Sequence, residues 1–248
     1  MDLEKYRESP SEKLRISNLM ALIPNIGGAT ALDVGARDGF LSKELTHFFD
    51  SVTAIDLNLP DIQHDKIQCK KGDITQLEFL NNAFDLILCA EVLEHIPTTL
   101  LRKACDELCR VTKEYLIIGV PYNQDLRFGK TTCYSCNKNN PPWGHVNKFN
   151  LPILENLFPK MKIEKVEYIG HSKSKTNFIS DWLMDIAGNP WGTYSQGEEC
   201  VYCGEKLIAP PDRNFIQKVF TKLATVLNKF QQLFINEQAN WIHVLLKK

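Results

Sequence analysis

The sequence predicts an α/β protein: a seven-stranded, mostly parallel sheet with helices on both faces, plus a cysteine-bearing insertion. Three observations carry this. Seven short apolar runs alternate with stretches of helical periodicity, the pattern of strands covered on both faces by crossover helices. The first run ends in a strand-to-helix turn, Val34-Gly35-Ala36-Arg37-Asp38-Gly39. Two Cys-x-x-Cys pairs, Cys133/Cys136 and Cys200/Cys203, fall outside the alternating elements.

The elements follow in order. Ser9-Pro10-Ser11-Glu12 starts a helix: Ser9 caps, Pro10 suits the first helical position, and Glu12 reaches back as in a capping box. Ile16, Leu19, Met20 and Ile23 keep helical spacing until Pro24 and Gly27-Gly28 break it. Ala29–Val34 is the first strand. Residues 38–48 form a helix with Phe40, Leu41, Leu45 and Phe48 along one side. Ser51–Leu57, Ile67–Lys71, Phe84–Ala90 and Tyr115–Val120 are the next four strands, with a helix at 98–111 before the last of them. A helix at 151–158, a sixth strand at Lys162–Ile169 and a final strand at Trp241–Leu246 complete the sheet. Between the last two strands lie about 70 residues, long for a simple loop. The whole is expected to be one domain, 1–248, with cap or insertion segments at 127–150 and 171–238.

Composition narrows the class. Hydrophobic residues are 44% and charged residues 24% of 248, as in soluble globular proteins. A net charge of −1 argues against a large nucleic-acid surface. The charged start MDLEKYRESPSEK has no apolar core of a secretory signal, and no window reaches the roughly 18 apolar residues of a membrane span. A cytoplasmic protein is expected. Of eight cysteines, Cys69, Cys89, Cys105 and Cys109 read as small buried residues of a reducing compartment. The two Cys-x-x-Cys pairs read as a tetrahedral zinc site. Four thiolates fill its coordination sphere, so the expected role is structural.

The turn after the first strand lacks the Gly-x-Gly-x-x-Gly of dinucleotide loops, and no Gly-Lys-Ser/Thr of a P-loop follows it. Its two glycines suit a sharp turn close to a ligand, at the strand ends where open α/β sheets bind ligands. Ala54-Ile55-Asp56 and Gly72-Asp73-Ile74 place acids at the ends of the next two strands. Phe84-Asp85-Leu86-Ile87 leads into Ala90-Glu91-Val92-Leu93-Glu94-His95-Ile96. In this order, from about Ala29 to Leu126 and more weakly beyond, the chain resembles the class I S-adenosylmethionine-dependent methyltransferases. The likeness is to the subgroup acting on small molecules, lipids and some glycans. The resemblance implies a Rossmann-like sheet that binds S-adenosylmethionine. Asp33, Gly35, Ala36 and Gly39 would lie around the methionine part, and Asp56 would accept from the ribose hydroxyls. Asp73 would accept from the adenine amine, with Leu57 and Ile74 beside these acids. Ala90 and Glu91 would face the sulfonium end.

A hydroxyl or ammonium acceptor needs a base. His145 ranks first, then Tyr122 and His95, with His171 also considered; a structural role is the alternative for each. Asn140-Pro141-Pro142-Trp143 is similar to the tetrapeptide of base-amine methyltransferases, but it follows the fifth strand, not the fourth. It is therefore expected to stiffen a loop that positions Trp143 and His145. Zinc would clamp a cap over the cofactor. Trp143, Phe178, Trp182, Leu183, Met184 and Trp191 would offer stacking or acyl-binding surface, unless they only pack within the cap.

Residues 213–235 carry Ile216, Val219, Phe220, Leu223, Leu227, Phe230 and Phe234 on one helical face, with Arg213, Lys218, Lys222 and Lys229 elsewhere. Such periodicity usually marks a face packed on the domain or on a dimer partner; peripheral membrane contact is the alternative. The expected activity is methyl transfer to oxygen or nitrogen of a small-molecule, sugar or lipid-linked glycan acceptor. Two alternatives stay open. One is an RNA or protein methyltransferase whose zinc knuckles touch the macromolecule. The other is a non-catalytic, cofactor- or zinc-organised interaction protein. The sequence leaves the oligomeric state open.

Overall fold

The structure, a computed structural model, describes residues 7–26, 30–194 and 198–248. The leading MDLEKY, the Gly27-Gly28 break and the Ala29 strand start lie outside the described residues. The chain divides into two compact units, one of 7–122, 149–170 and 239–248, the other containing 123–148 and 171–238. The insertion segments expected at 127–150 and 171–238 thus form a unit of their own, whose first segment runs 123–148.

The first unit is the sheet. Its strands are β1 (Thr30–Val34), β2 (Ser51–Asp56), β3 (Ile67–Lys71), β4 (Phe84–Ala90), β5 (Thr112–Pro121), β6 (Lys162–Ile169) and β7 (Trp241–Lys247). They lie in the order β3-β2-β1-β4-β5-β7-β6. β1 to β5 are parallel, and β7 runs antiparallel to both β5 and β6. Val34 pairs with Ile55 on one side and Cys89 on the other, so the carboxyl ends of β1, β2 and β4 share one rim. The chain builds outward from β1 through β2 to β3 and then crosses to β4. That reversal puts the topological switch point at the rim between β1 and β4, where such sheets bind ligands. Trp241 pairs with both Pro121 and Ile169. The chain therefore leaves for the second unit, and returns from it, at this same rim.

Helices cover both faces. The helices of this unit are α1 (Pro10–Ala21), α2 (Phe40–Leu45), α3 (Thr98–Val111) and α4 (Leu151–Leu157). Leu32, Ile87, Cys89, Leu116 and Ile118 pack with Ala104, Cys105 and Leu108 of α3 and Leu154 of α4. Ala31, Leu86, Leu88 and Ile117 pack with Leu19 and Leu22 at α1 and with Leu45 and Phe49 at α2. Fully burying one such side chain contributes about 1.5–3 kcal/mol, so these two layers hold the sheet rigid beneath the rim. Ser9 caps α1 by accepting from the Glu12 N–H, and the Glu12 carboxylate pairs with the Arg15 guanidinium at 2.8–3.1 Å. Phe48, expected on the apolar side of α2, is exposed, and Phe49 is buried instead. The helix ends at Leu45, and Phe49, four residues on, keeps Leu45's face through its N–H bond to the Leu45 carbonyl. Leu57, one residue past β2, is exposed.

The second unit contains α5 (Phe178–Ile186), α6 (Phe215–Gln232) and a two-stranded ladder pairing Thr131–Thr132 with Asn139–Asn140. α5 and α6 pack on one another. Of the two packings expected for 213–235, on the domain or on a dimer partner, the first does not occur within the chain. The apolar stripe of 213–235 is not a core-facing face: Phe215, Ile216, Leu223, Val226, Leu227, Phe230, Leu233 and Phe234 are all exposed, whereas Thr221 and Ala224 are buried. The side turned inward is polar. Asn228 accepts from Thr176 at 2.9 Å, and Gln231 accepts from Asn177 at 2.8 Å. Of the aromatic and apolar cap residues, Leu183 is buried, while Phe178, Trp182 and Trp191 are exposed.

Candidate cofactor site and metal centre

The turn after β1 is built by its glycines. Gly35 and Gly39 have φ of +76° and +78°, a region that L side chains rarely enter. A Cβ on Gly35 would fall 2.4 Å from Val92, and one on Gly39 2.3 Å from Ile62. Glycine is needed at both positions to let the segment after β4 and the loop after β2 close on the turn. The N–H groups of Gly35 and Ala36 both donate to the Ile55 carbonyl, which ties the turn to the end of β2. Asp33 is buried beneath it and accepts from the Ser42 hydroxyl at 2.5 Å. Burial raises its carboxyl to about 6, opposed by the Ser42 bond. Its side chain thus anchors α2 to β1.

The acids at the next strand ends are oriented by backbone. Asp56 accepts from the Arg37 N–H at 3.0 Å and the Asn58 N–H at 3.5 Å. Asp73 accepts from the Thr75 N–H at 2.8 Å, as short acids do in tight loops. A carboxylate offers about four acceptor sites, so both retain capacity for a ligand. Ile74 and Ala90 are buried. Asp33, Gly35, Ala36, Gly39, Asp56, Leu57, Asp73, Ile74, Ala90 and Glu91 thus lie at or just beyond the carboxyl ends of β1 to β4.

Glu91 stands out on this rim. It has φ of +58°, strained for a non-glycine residue and of the kind that collects at functional sites. Its Oε2 accepts from the Trp241 indole at 3.3 Å, and its Oε1 is buried with no hydrogen-bond partner among the described residues. Burial pushes its carboxyl up to about 7, with the nearby Arg15 lowering it and Glu12 raising it. Glu94 is fully buried, both of its oxygens lack a partner among the described residues, and burial together with Glu91 raises its carboxyl well above the ordinary range. His243 is buried in β7, its Nδ1 2.7 Å from Asn18 Oδ1, and burial lowers it to about 3, so it stays neutral. Gly119 admits this polar cluster: a Cβ there would meet Leu19 at 3.1 Å and His243 at 3.2 Å. A buried carboxylate without a partner is costly unless a cation joins it. The sequence reading placed Glu91 but missed Glu12, Arg15, Glu94, Trp241 and His243 as its surroundings. The available signals were an acid and an arginine where α1 should be apolar, and a histidine inside the apolar run of β7.

The second unit brings the four paired cysteines together. All four Sγ atoms lie within 4.8 Å of one another. Cys133 and Cys203 are 3.7 Å apart, and Cys136 and Cys200 3.6 Å. Zinc–sulfur bonds of about 2.3 Å in a tetrahedron put sulfurs about 3.8 Å apart. Each knuckle turns in the same way. The Asn137 N–H donates to the Cys133 carbonyl and the Gly204 N–H to that of Cys200, with φ of +57° and +75°. Asn140 of the Asn-Pro-Pro-Trp stretch is buried, and its Oδ1 accepts from the Val201 N–H at 2.9 Å. Its amide therefore joins the two knuckles.

The candidate bases are distributed over both units. His145, in the second, is buried, with Nδ1 2.6 Å from Gln124 Oε1. With that oxygen as acceptor, Nδ1 carries the proton and Nε2 the lone pair. Its ring lies 5.8 Å from that of Trp143. In the sheet unit, Tyr122 follows β5 and stacks edge-on against Tyr168 at 4.9 Å, and His95 is exposed at the end of a short 3-10 turn. His171 is exposed in the second unit.

The architecture is that of the Rossmann-like methyltransferases, and residues 32–118 match the methyltransferase domain family. A putative methyltransferase from Bacillus halodurans superimposes with a TM-score of 0.57 at 15% identity, over 94% of this chain and 98% of that one. The N-methyltransferase NodS from Bradyrhizobium japonicum, solved with S-adenosyl-L-homocysteine, gives 0.51 at 19% identity, over 68% and 85%. The [4+2]-cyclase SpnF gives 0.54 at 14%, over 94% and 79%. One fold thus carries different reactions, and the residues must argue the chemistry. No curated protein sequence is significantly similar to the chain.

Proposed function

We propose that the chain is an S-adenosylmethionine-dependent methyltransferase acting on oxygen or nitrogen of a small-molecule, sugar or lipid-linked glycan acceptor. The observation that carries this reading is the arc of acids, Asp56, Asp73 and Glu91, set around the glycine turn at the switch point. The donor set fits the cofactor. Asp56 has acceptor capacity for two ribose hydroxyls, and Asp73 for an adenine amine. The unpartnered Oε1 of Glu91 suits the positive charge of the sulfonium and α-ammonium end. Bound S-adenosylmethionine supplies a methyl group already activated by its sulfonium. The protein's share is to hold the acceptor in line and exclude water, and such positioning is worth several kcal/mol, up to about 7–11.

His145 is the first candidate for taking the acceptor's proton, since its Gln124 bond fixes the ring and leaves the lone pair on Nε2. Tyr122 and His95 follow. Structural zinc on Cys133, Cys136, Cys200 and Cys203 would join two segments far apart in sequence, and with four thiolates it leaves no position for chemistry. The other four cysteines, Cys69, Cys89, Cys105 and Cys109, form no disulfide, which suits a reducing, cytoplasmic compartment.

Turnover tests the reading. Release of S-adenosylhomocysteine is measured with sugar, nucleotide-sugar and lipid-linked glycan acceptors added in turn. Acceptor-dependent release that falls at least tenfold in His145→Ala supports it. Release with none of these, but with RNA or a protein acceptor, would replace it by the macromolecular alternative.

A further inference from the structure

The helix α6 is inside out for a soluble protein. Its 18 residues span about 27 Å. Gln217, Thr221, Ala224, Asn228 and Gln231, spaced i, i+4, i+7, i+11 and i+14, form the inward side, and the hydrogen bonds to Thr176 and Asn177 tie it there. Arg213 donates to Thr221 at 2.7 Å. The opposite side exposes Phe215 at 81%, Phe230 at 60% and, just past the helix, Leu233 at 74%, together with Ile216, Leu223 and Val226. Soluble monomers rarely expose so continuous an apolar row without a use for it.

Charge says what the row meets. Lys218, Lys222 and Lys229, spaced i, i+4 and i+11, line one flank of the apolar stripe. Residues 213–236 hold these three lysines and Arg213 with no acid, while the whole chain has a net charge of −1. Positive charge is therefore concentrated here and outweighed elsewhere. On the adjoining α5, Phe178, Ile179 and Trp182 are exposed, while Asp181 and Asp185 turn to Lys130 at 2.6 and 2.8 Å. One ammonium balances one of the two carboxylates, and both acids of that helix are held on the side turned to Lys130. A second copy would bring lysines to lysines along the helix, where the acids next in sequence, Asp212 and Glu237, lie beyond its two ends.

We propose that α6 is a membrane-surface helix. Its apolar row would enter the headgroup–acyl boundary of a bilayer, with Lys218, Lys222 and Lys229 extending to anionic lipid headgroups. It would lie on the bilayer, since no helix among the described residues is long and apolar enough to cross one. This inference does not depend on methyl transfer.

The test is flotation of the full chain, purified with its metal, on phosphatidylcholine vesicles with and without 30% phosphatidylserine (about a third of the lipid, enough to charge the surface). The wild type is expected to float with the anionic vesicles. Phe230→Glu should lose this, and the K218Q/K222Q/K229Q variant should bind at least tenfold more weakly, as should the wild type in high salt. Every substituted side chain is exposed, and an unchanged circular-dichroism melt shows that each variant is folded. Failure of the folded wild type to float with anionic vesicles overturns the proposal. So does a concentration-dependent dimer that Phe230→Glu abolishes without vesicles present, which would make the row a self-interface.

Discussion

Glu91 concentrates the chemistry of the rim in one residue. Its carboxyl has an ordinary value of 4.5 and sits at about 7 in the folded chain. Between those values the folded protein keeps a proton that the unfolded chain has released, so each rise in pH withdraws stability. Without cofactor, stability contributed at this site is expected to fall as pH rises from about 4.5 to about 7, by on the order of 2–3 kcal/mol. Asp33, raised to about 6 by burial, adds a smaller fall in the same direction. Glu94, pushed up by its burial and by Glu91, adds a further fall, while His243, held neutral by burial, adds an opposing rise up to about pH 6.5. Glu91→Gln should therefore remove only Glu91's share of the net slope in urea midpoints measured across that range, and should be more stable than wild type near pH 8. An unchanged slope would mean that Glu91 is already ionised in the folded chain. Cofactor binding should run the other way, strengthening in the wild type as the carboxylate forms.

At the level of elements, legibility followed the physics of burial. Central parallel strands are buried on both faces and leave continuous apolar runs, and β4 accordingly falls at the residues expected; α3 and the half-exposed edge strands β3 and β6 also fall where expected. Facing is another matter. The stripe on α6 is visible in the sequence, but periodicity cannot say whether a stripe points in or out, and here Asn228 and Gln231 take the inward side. The cluster around Glu91 was illegible for a different reason. It joins α1 to β7 across more than 200 residues, as in the pair Asn18 and His243, and no local pattern records that meeting. The knuckles were the easiest to read, because Cys-x-x-Cys spacing sets the ligand geometry locally. Asn140 is half-legible: its tetrapeptide stands out in the sequence, but its bond to Val201 gives it a structural task. If zinc joins the knuckles, protein purified without chelator should hold one zinc per chain. Cys200→Ser should lose it and melt the second unit, at a cost of several kcal/mol, on the order of 5. Metal-free protein with four reduced thiols and an unchanged melt would refute the zinc assignment.

The described chain comprises a sheet unit whose rim carries Asp56, Asp73 and Glu91 and a second unit whose four paired cysteines lie close enough to share a metal. The chain enters and leaves the second unit at the carboxyl ends of β5 and β6 and the start of β7, the rim that also ends β1 to β4. Everything proposed about activity rests on that rim holding S-adenosylmethionine. Calorimetric titration of the chain, purified without chelator, with S-adenosylmethionine, beside Asp56→Ala, tests this directly. Loss of two charge-assisted hydrogen bonds to a ribose should cost about 3–6 kcal/mol. The account predicts one site of micromolar affinity in the wild type, weakened at least a hundredfold in the variant. No heat of binding in the folded wild type, or equal binding by Asp56→Ala, would contradict it.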